Sequence, residues 1–266
     1  MAIISVRDLV VEYDGRRVLD GLNLDIQQGE TMVLLGGSGS GKSTLLRQII
    51  GLERPKSGSV HVKGIDITHC SEAELKTVHR SIGVAFQSAA LFNSLSVEDN
   101  VALTLREHTR LAPSIIELMV WMKLALVGLA DFGKLRPQEL SGGMKKRAAV
   151  ARALALSPEI LVLDEPSAGL DPIVAAELDE LILLLKEAFQ MTVVVVTHEM
   201  ASAFRIADRI AMLYKGTFRS IGTKEEIRAS KDVRVRHFLD RIPEKLTEAP
   251  ATTAYFEKYL QSPEAN

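Results

Sequence analysis

Residues Gly36-Gly37-Ser38-Gly39-Ser40-Gly41-Lys42-Ser43-Thr44 set a run of small side chains directly ahead of Lys-Ser-Thr. Such a run lets backbone N–H groups converge on an anion, with one ammonium and hydroxyls added at its end. It satisfies the P-loop pattern G-x-x-x-x-G-K-[ST], in which Lys42 supplies a point charge for β- and γ-phosphates and the Ser43 hydroxyl can bind Mg²⁺. A flexible turn between core elements is the plain alternative. The flanks decide against it: Thr31-Met32-Val33-Leu34-Leu35 reads as a buried strand and residues 43–50 as an amphipathic helix, whose N-terminus adds partial positive charge. A second acidic group, Asp164-Glu165, ends the apolar run Ile160-Leu161-Val162-Leu163. That places two carboxylates at the carboxyl edge of a parallel sheet, where ligands of open α/β folds bind. Asp164 would hold Mg²⁺, directly or through water, and Glu165 would orient and deprotonate the attacking water for in-line phosphoryl transfer. A pair of acids that begins a solvated helix is the plain alternative, and the P-loop ahead of them weighs against it.

A further anion-facing candidate is Leu140-Ser141-Gly142-Gly143, followed by the Ala-rich helical run 144–152. Ser141 can cap that helix, and Gly142 and Gly143 allow close backbone approach to a phosphate, although an ordinary capped helix has the same local pattern. The elements that must position these groups are legible around them. The opening third is β-rich over 3–11, 18–26, 31–35 and 58–63, with turns at Asp14-Gly15, Gln28-Gly29 and Lys63-Gly64. A short strand over 81–86 ends at Gln87. From 97 to about 155 the apolar spacing is helical, which reads as an inserted helical region. Strands over 160–163 and 192–196, joined by a helix over 173–188, form a βαβ unit, and Lys215-Gly216 marks a hairpin. The fold class is therefore α/β: a P-loop NTPase with a β-rich lobe, a parallel-sheet core and a helical subdomain.

The chain has 266 residues, with 34 acidic against 32 basic side chains. This near-balance provides no basic groove for nucleic acid. One cysteine, Cys70, excludes an intrachain disulfide framework and fits a reducing compartment. The N-terminal residues lack a basic region followed by a long apolar core, so no secretory signal is expected. No run reaches the roughly 18 apolar residues of a membrane helix. The expected organisation is an ATPase domain over 1–240, with the helical subdomain at about 97–155, and a tail over 241–266.

The P-loop, Gln87 at a strand end, Leu-Ser-Gly-Gly, the Asp164-Glu165 strand, Ser167-Ala168-Gly169-Leu170-Asp171 and His198 follow one another in an order that resembles the nucleotide-binding subunits of ABC transporters. The resemblance covers roughly residues 3–225. It implies an ABC-type fold and ATP hydrolysis with Mg²⁺. It also implies that Tyr13 stacks on adenine, that Gln87 links the γ-phosphate and Mg²⁺ to the transporter interface, and that His198 contacts the γ-phosphate. Two copies would pair head to tail, the Ser141-Gly142-Gly143 of one closing on the P-loop of the other, with Asp171 at the seam. Met144 departs from the Gln that many members carry there.

Outside these motifs, Ser88-Ala89-Ala90-Leu91-Phe92, Leu105-Arg106-Glu107-His108-Thr109, residues 122–129 and Val235-Arg236-His237-Phe238-Leu239-Asp240 resemble the ATPases of bacterial Mla and Mce-type phospholipid transport. That likeness implies an MlaE-like permease, an MCE-domain protein, in some systems a STAS-domain subunit, and a peripheral place on the cytoplasmic side of the inner membrane. Ala89 to Phe92 would form the permease groove, or Leu91 and Phe92 would be core. In the tail, Tyr255, Phe256, Tyr259 and Leu260 make an apolar stripe that would contact its own domain or, as the resemblance implies, grip the other subunit. The competing readings are an ABC ATPase for another substrate and a soluble ABC ATPase acting away from membranes. The second is disfavoured by the single P-loop and the lack of a long heptad run.

Overall fold

The computed structural model describes residues 1–242. The aromatic stripe of the tail lies outside the described residues. The chain opens with two long strands, β1 (Ala2–Tyr13) and β2 (Arg16–Gln27), paired antiparallel about Asp14-Gly15, both at positive φ. Then come β3 (Thr31–Leu35), α1 (Lys42–Ile49), β4 (Ser57–Val62), β5 (Ile65–Asp66), α2 (Glu72–Arg80) and β6 (Ile82–Ala85). The helical region predicted for 97–155 comprises α3 (Val97–His108), α4 (Pro113–Leu126), two short 3₁₀ turns and α5 (Gly142–Ala153). The remainder is β7 (Ile160–Asp164), α6 (Pro172–Phe189), β8 (Thr192–Thr197), α7 (Met200–Ile206), β9 (Arg209–Tyr214), β10 (Thr217–Thr223), α8 (Lys224–Arg228) and α9 (Val233–Leu239).

Two sheets result. One is antiparallel, in the order β2-β1-β4-β5; the other runs β10-β9-β3-β8-β7-β6, parallel except for the edge hairpin of β9 and β10. The expected βαβ unit is present as β7-α6-β8, with neighbouring strands in parallel register. Strands β3, β7 and β8 are apolar along nearly their whole length because the larger sheet is covered on both faces. Alternation along each strand divides the core. Val33, Leu35, Leu161, Leu163, Val193 and Val195 pack with α3 to α7, whereas Met32, Leu34, Val162, Val194 and Val196 pack with α1 and the antiparallel sheet. The helical region thus shares a core with the sheet.

Parallel register puts the functional segments on one edge. Leu35 lies opposite Thr197, Asp164 opposite Val196, and Ala85 opposite Leu163. The chain leaving β3, β6, β7 and β8 therefore delivers the P-loop, Gln87, Glu165 and His198 to the same place.

Candidate active site

The P-loop is shaped by two glycines that no other residue could replace without movement. Gly41 caps α1 at φ 107, and a Cβ there would lie 2.6 Å from Leu19 Cδ2. Gly36 passes so close to β9 that a Cβ would fall 2.3 Å from the Leu213 carbonyl oxygen. Between them Gly37, Ser38, Gly39 and Ser40 turn the chain back over α1. Lys42, the first residue of that helix, is buried and donates to the carbonyls of Gly36 at 2.8 Å and Gly37 at 3.0 Å. Burial lowers its pKa, opposed by the charges of Glu165 and Asp164.

Glu165 faces Lys42 across the site, with Oε1 4.0 Å from the ammonium. Its carboxylate is buried, and Oε2 accepts from Nδ1–H of His198 at 2.9 Å. The residue sits at φ 47, in the left-handed region, with its N–H donating to Val196 O at 2.8 Å. His198 itself is half exposed at the rim. Asp164 lies behind Glu165. Its pKa is raised, chiefly by burial and then by the neighbouring Glu165 charge, and its Oδ1 is buried without a hydrogen-bond partner. An orphaned carboxylate oxygen at the end of β7, with the Ser43 hydroxyl and the Gln87 amide on the wall of the same site, offers hard oxygen ligands of the kind that suit Mg²⁺.

A cavity of about 530 Å³ gathers most of the predicted residues: Ser38 to Thr44, Gln87, Glu165 and His198, together with Val18, which sequence reasoning did not single out. A neighbouring cavity of about 800 Å³ shares Ser38 to Ser40, adds Gly37 and is edged by Arg16, Arg17, Lys215 and His237. Gly36 lies beneath the first cavity rather than along its wall.

Asp164 does not line this cavity, and Tyr13, Ser141, Gly142 and Gly143 stand apart from it. Tyr13, at the end of β1, borders a groove with Glu53, Arg54 and Pro55, and its hydroxyl donates to Glu53. Ser141, Gly142 and Gly143 do not line the P-loop cavity of their own chain. Ser141 is exposed and caps α5 by accepting from the Met144 N–H at 3.3 Å, while the Met144 side chain packs against the core. Beyond Gln87, Ala89 is buried, Leu91 is half-buried against the core and Phe92 is 52% exposed. Sequence reasoning also missed Lys146 on α5, which donates to the carbonyls of Gln87 and Glu165. The only local signal was a basic residue one turn past Ser-Gly-Gly.

A family model described as ABC transporter matches residues 19–168. Among curated relatives, the Mycobacterium leprae protein described as probable ribonucleotide transport ATP-binding protein mkl is 43% identical over 89% of this chain and 68% of its own length. The intermembrane phospholipid transport system ATP-binding protein MlaF of Escherichia coli K12 is 41% identical over 90% of this chain and 89% of its own. Among solved structures, the ATP-binding cassette MJ0796, a dimer in a post-hydrolysis state bound to ADP and Pi, superposes with a TM-score of 0.77 at 32% identity, covering 83% of this chain and all but 2% of that one. Clostridium perfringens cbiO1, part of the cbiONQ transporter complex, gives a TM-score of 0.79 at 30% identity over 96% of this chain and 99% of its own. A phosphate-cradling loop, a Lys–Glu–His cluster at one sheet edge and this relatedness agree: the chain belongs to the ABC transporter family, as one of its ATP-hydrolysing cassettes.

Proposed function

We propose that the chain is the ATPase subunit of a bacterial inner-membrane transporter that moves phospholipids between membranes and so maintains outer-membrane lipid asymmetry. The observation that carries this reading is the 41% identity to MlaF over 240 residues, above the 30–32% shared with the cassettes MJ0796 and cbiO1. The mkl relatives support a second reading, in which the same engine drives a permease for another substrate.

In this reading ATP lies along the P-loop with its phosphates on the N–H groups of residues 36–44 and on Lys42, and with adenine against Tyr13. Ser43, Gln87 and Asp164 would hold Mg²⁺, which would supply neutralisation of phosphate charge. Glu165 takes the proton of the attacking water, and His198 both fixes the carboxylate through the 2.9 Å hydrogen bond and faces the γ-phosphate. Ser141, Gly142 and Gly143 complete the site of a second copy in a head-to-tail dimer, which the exposure of Ser141 and its distance from its own cavity support.

No helix among the described residues is long and apolar enough to cross a membrane. Attachment on the cytoplasmic face then falls to protein partners: an MlaE-like permease, an MCE-domain protein and, in some systems of this kind, a STAS-domain subunit. Phe92 beside the Gln87 loop, and Leu118, Trp121 and Met122 on α4, are exposed apolar side chains suited to such contacts. Residues 1–240 act as the ATPase domain, with a tail over 241–266. Purification of the full-length chain from membranes, with mass spectrometry of associated proteins and lipids, tests the reading. A permease, an MCE-domain protein and phospholipid are expected. Recovery with a permease for another solute, and without lipid, overturns it.

A further inference from the structure

Helix α5 meets the active site of its own chain through its flank, not through its capped end. Lys146 Nζ donates to Gln87 O at 2.5 Å and to Glu165 O at 3.0 Å. Farther along the helix, Arg152 donates through Nη1 to Ala90 O at 2.7 Å and through Nη2 to Ala89 O at 3.0 Å. All four acceptors are backbone carbonyls, and they belong to the two segments that follow β6 and β7.

These segments need holding. Ala89, Ala90 and Glu165 adopt φ of 61, 50 and 47. For a residue with a Cβ this left-handed conformation costs about 1 kcal/mol or more, and it persists only where the surroundings over-determine it. At Glu165 the N–H is tied to Val196 O at 2.8 Å, and the carbonyl is tied to Lys146. Arg152 does the same for the two alanines. Lys146 is half-buried, and burial lowers its pKa, opposed by the charges of Asp164, Glu165 and Glu199.

We propose that Lys146 is a positioning residue for ATP hydrolysis: by bonding the Gln87 and Glu165 carbonyls together it sets the Glu165 carboxylate against the γ-phosphate-facing loop and links both to the helix that begins at Ser141. The proposal rests on Glu165 acting as the base. Misplacing such a group by about 1 Å can cost on the order of 100-fold in rate while leaving phosphate binding intact.

The test measures kcat, KM for ATP and affinity for a fluorescent ATP analogue in the full-length chain purified with its membrane partners. Lys146→Met keeps the stem and loses the donors; Lys146→Arg keeps two donors. The expected result for Lys146→Met is a kcat lower by roughly 10- to 100-fold, with KM and analogue affinity within about 3-fold of wild type. Lys146→Arg should recover most of the rate. A kcat for Lys146→Met within 2-fold of wild type, an equal defect in Lys146→Arg, or an affinity loss matching the rate loss each overturns the proposal. If Lys146→Met does not fold, Lys146→Gln, with a shorter donor, replaces it; a kcat no lower than that of Lys146→Arg then counts against the idea. Wild-type turnover in Glu165→Gln is a separate outcome, which removes the base and with it the proposal.

Discussion

Lys42 and Glu165, two buried groups of opposite charge 4.0 Å apart, are set by their surroundings for different tasks. Lys42 is the sole cation of the P-loop, so Lys42→Ala is expected to weaken ATP binding by 10-fold or more, on the order of a charge-assisted contact with phosphate. Isothermal titration with ATP in the absence of turnover checks this. Glu165→Gln keeps size and hydrogen bonding but cannot accept the proton, so binding should persist while phosphate release slows by about 100- to 10,000-fold. Turnover at the wild-type rate would show that another group prepares the water. Both residues were legible in sequence because each belongs to a short contiguous motif following an apolar strand. Lys146 was not, since its acceptors lie 59 and 19 residues away and are backbone atoms, which no side-chain pattern announces.

At the scale of elements, α6 and α7 meet through one buried polar pair. Ser202 on α7 donates to Asp179 Oδ1 on α6 at 2.5 Å, and Asp179 is only 3% exposed. Burial raises its pKa above the ordinary aspartate value, outweighing the Ser202 hydrogen bond and the charge of Arg205. The folded protein therefore holds this proton more tightly than the unfolded chain. The associated stability is fully present below the ordinary aspartate pKa and is lost as pH rises through the folded value. Compared with Asp179→Asn, which cannot ionise, the wild type should gain on lowering the pH from 7 toward 4, by roughly 2–4 °C in Tm for each kcal/mol. Scanning calorimetry of both proteins across that range checks it, and a constant difference would mean that Asp179 does not change ionisation on unfolding. The β7-α6-β8 unit surrounding this pair was readable from periodicity alone, because a strand buried on both faces and an amphipathic helix carry distinct spacings. Which sheet each early strand joins was not. β3 follows β2 by three residues yet pairs with β8 and β9, a choice made by packing on both of its faces rather than by its own five residues.

For the whole molecule, the separation of Ser141 from the P-loop cavity of its own chain fits the proposed pairing of two copies. In the proposed dimer a bulky residue at 141 fills the space of the partner's phosphates. Ser141→Trp in a Glu165→Gln background is expected to abolish the ATP-dependent dimer seen by size exclusion with light scattering. A dimer that survives removes α5 from the seam. Deleting residues after Asp240 should likewise weaken assembly, measured by sedimentation, without changing nucleotide affinity; equal assembly would show that the tail does not bridge subunits. Because a two-fold pairing is isologous, each nucleotide pocket is a hybrid, half from either chain. Damage to the two halves is then distributed by parentage. If one chain carries Ser141→Trp and the other Lys42→Ala, both lesions fall in one pocket and the second pocket is wild type throughout. Two alleles that are each dead as homodimers would thus complement one another in the same cell, at no more than half the normal number of working sites.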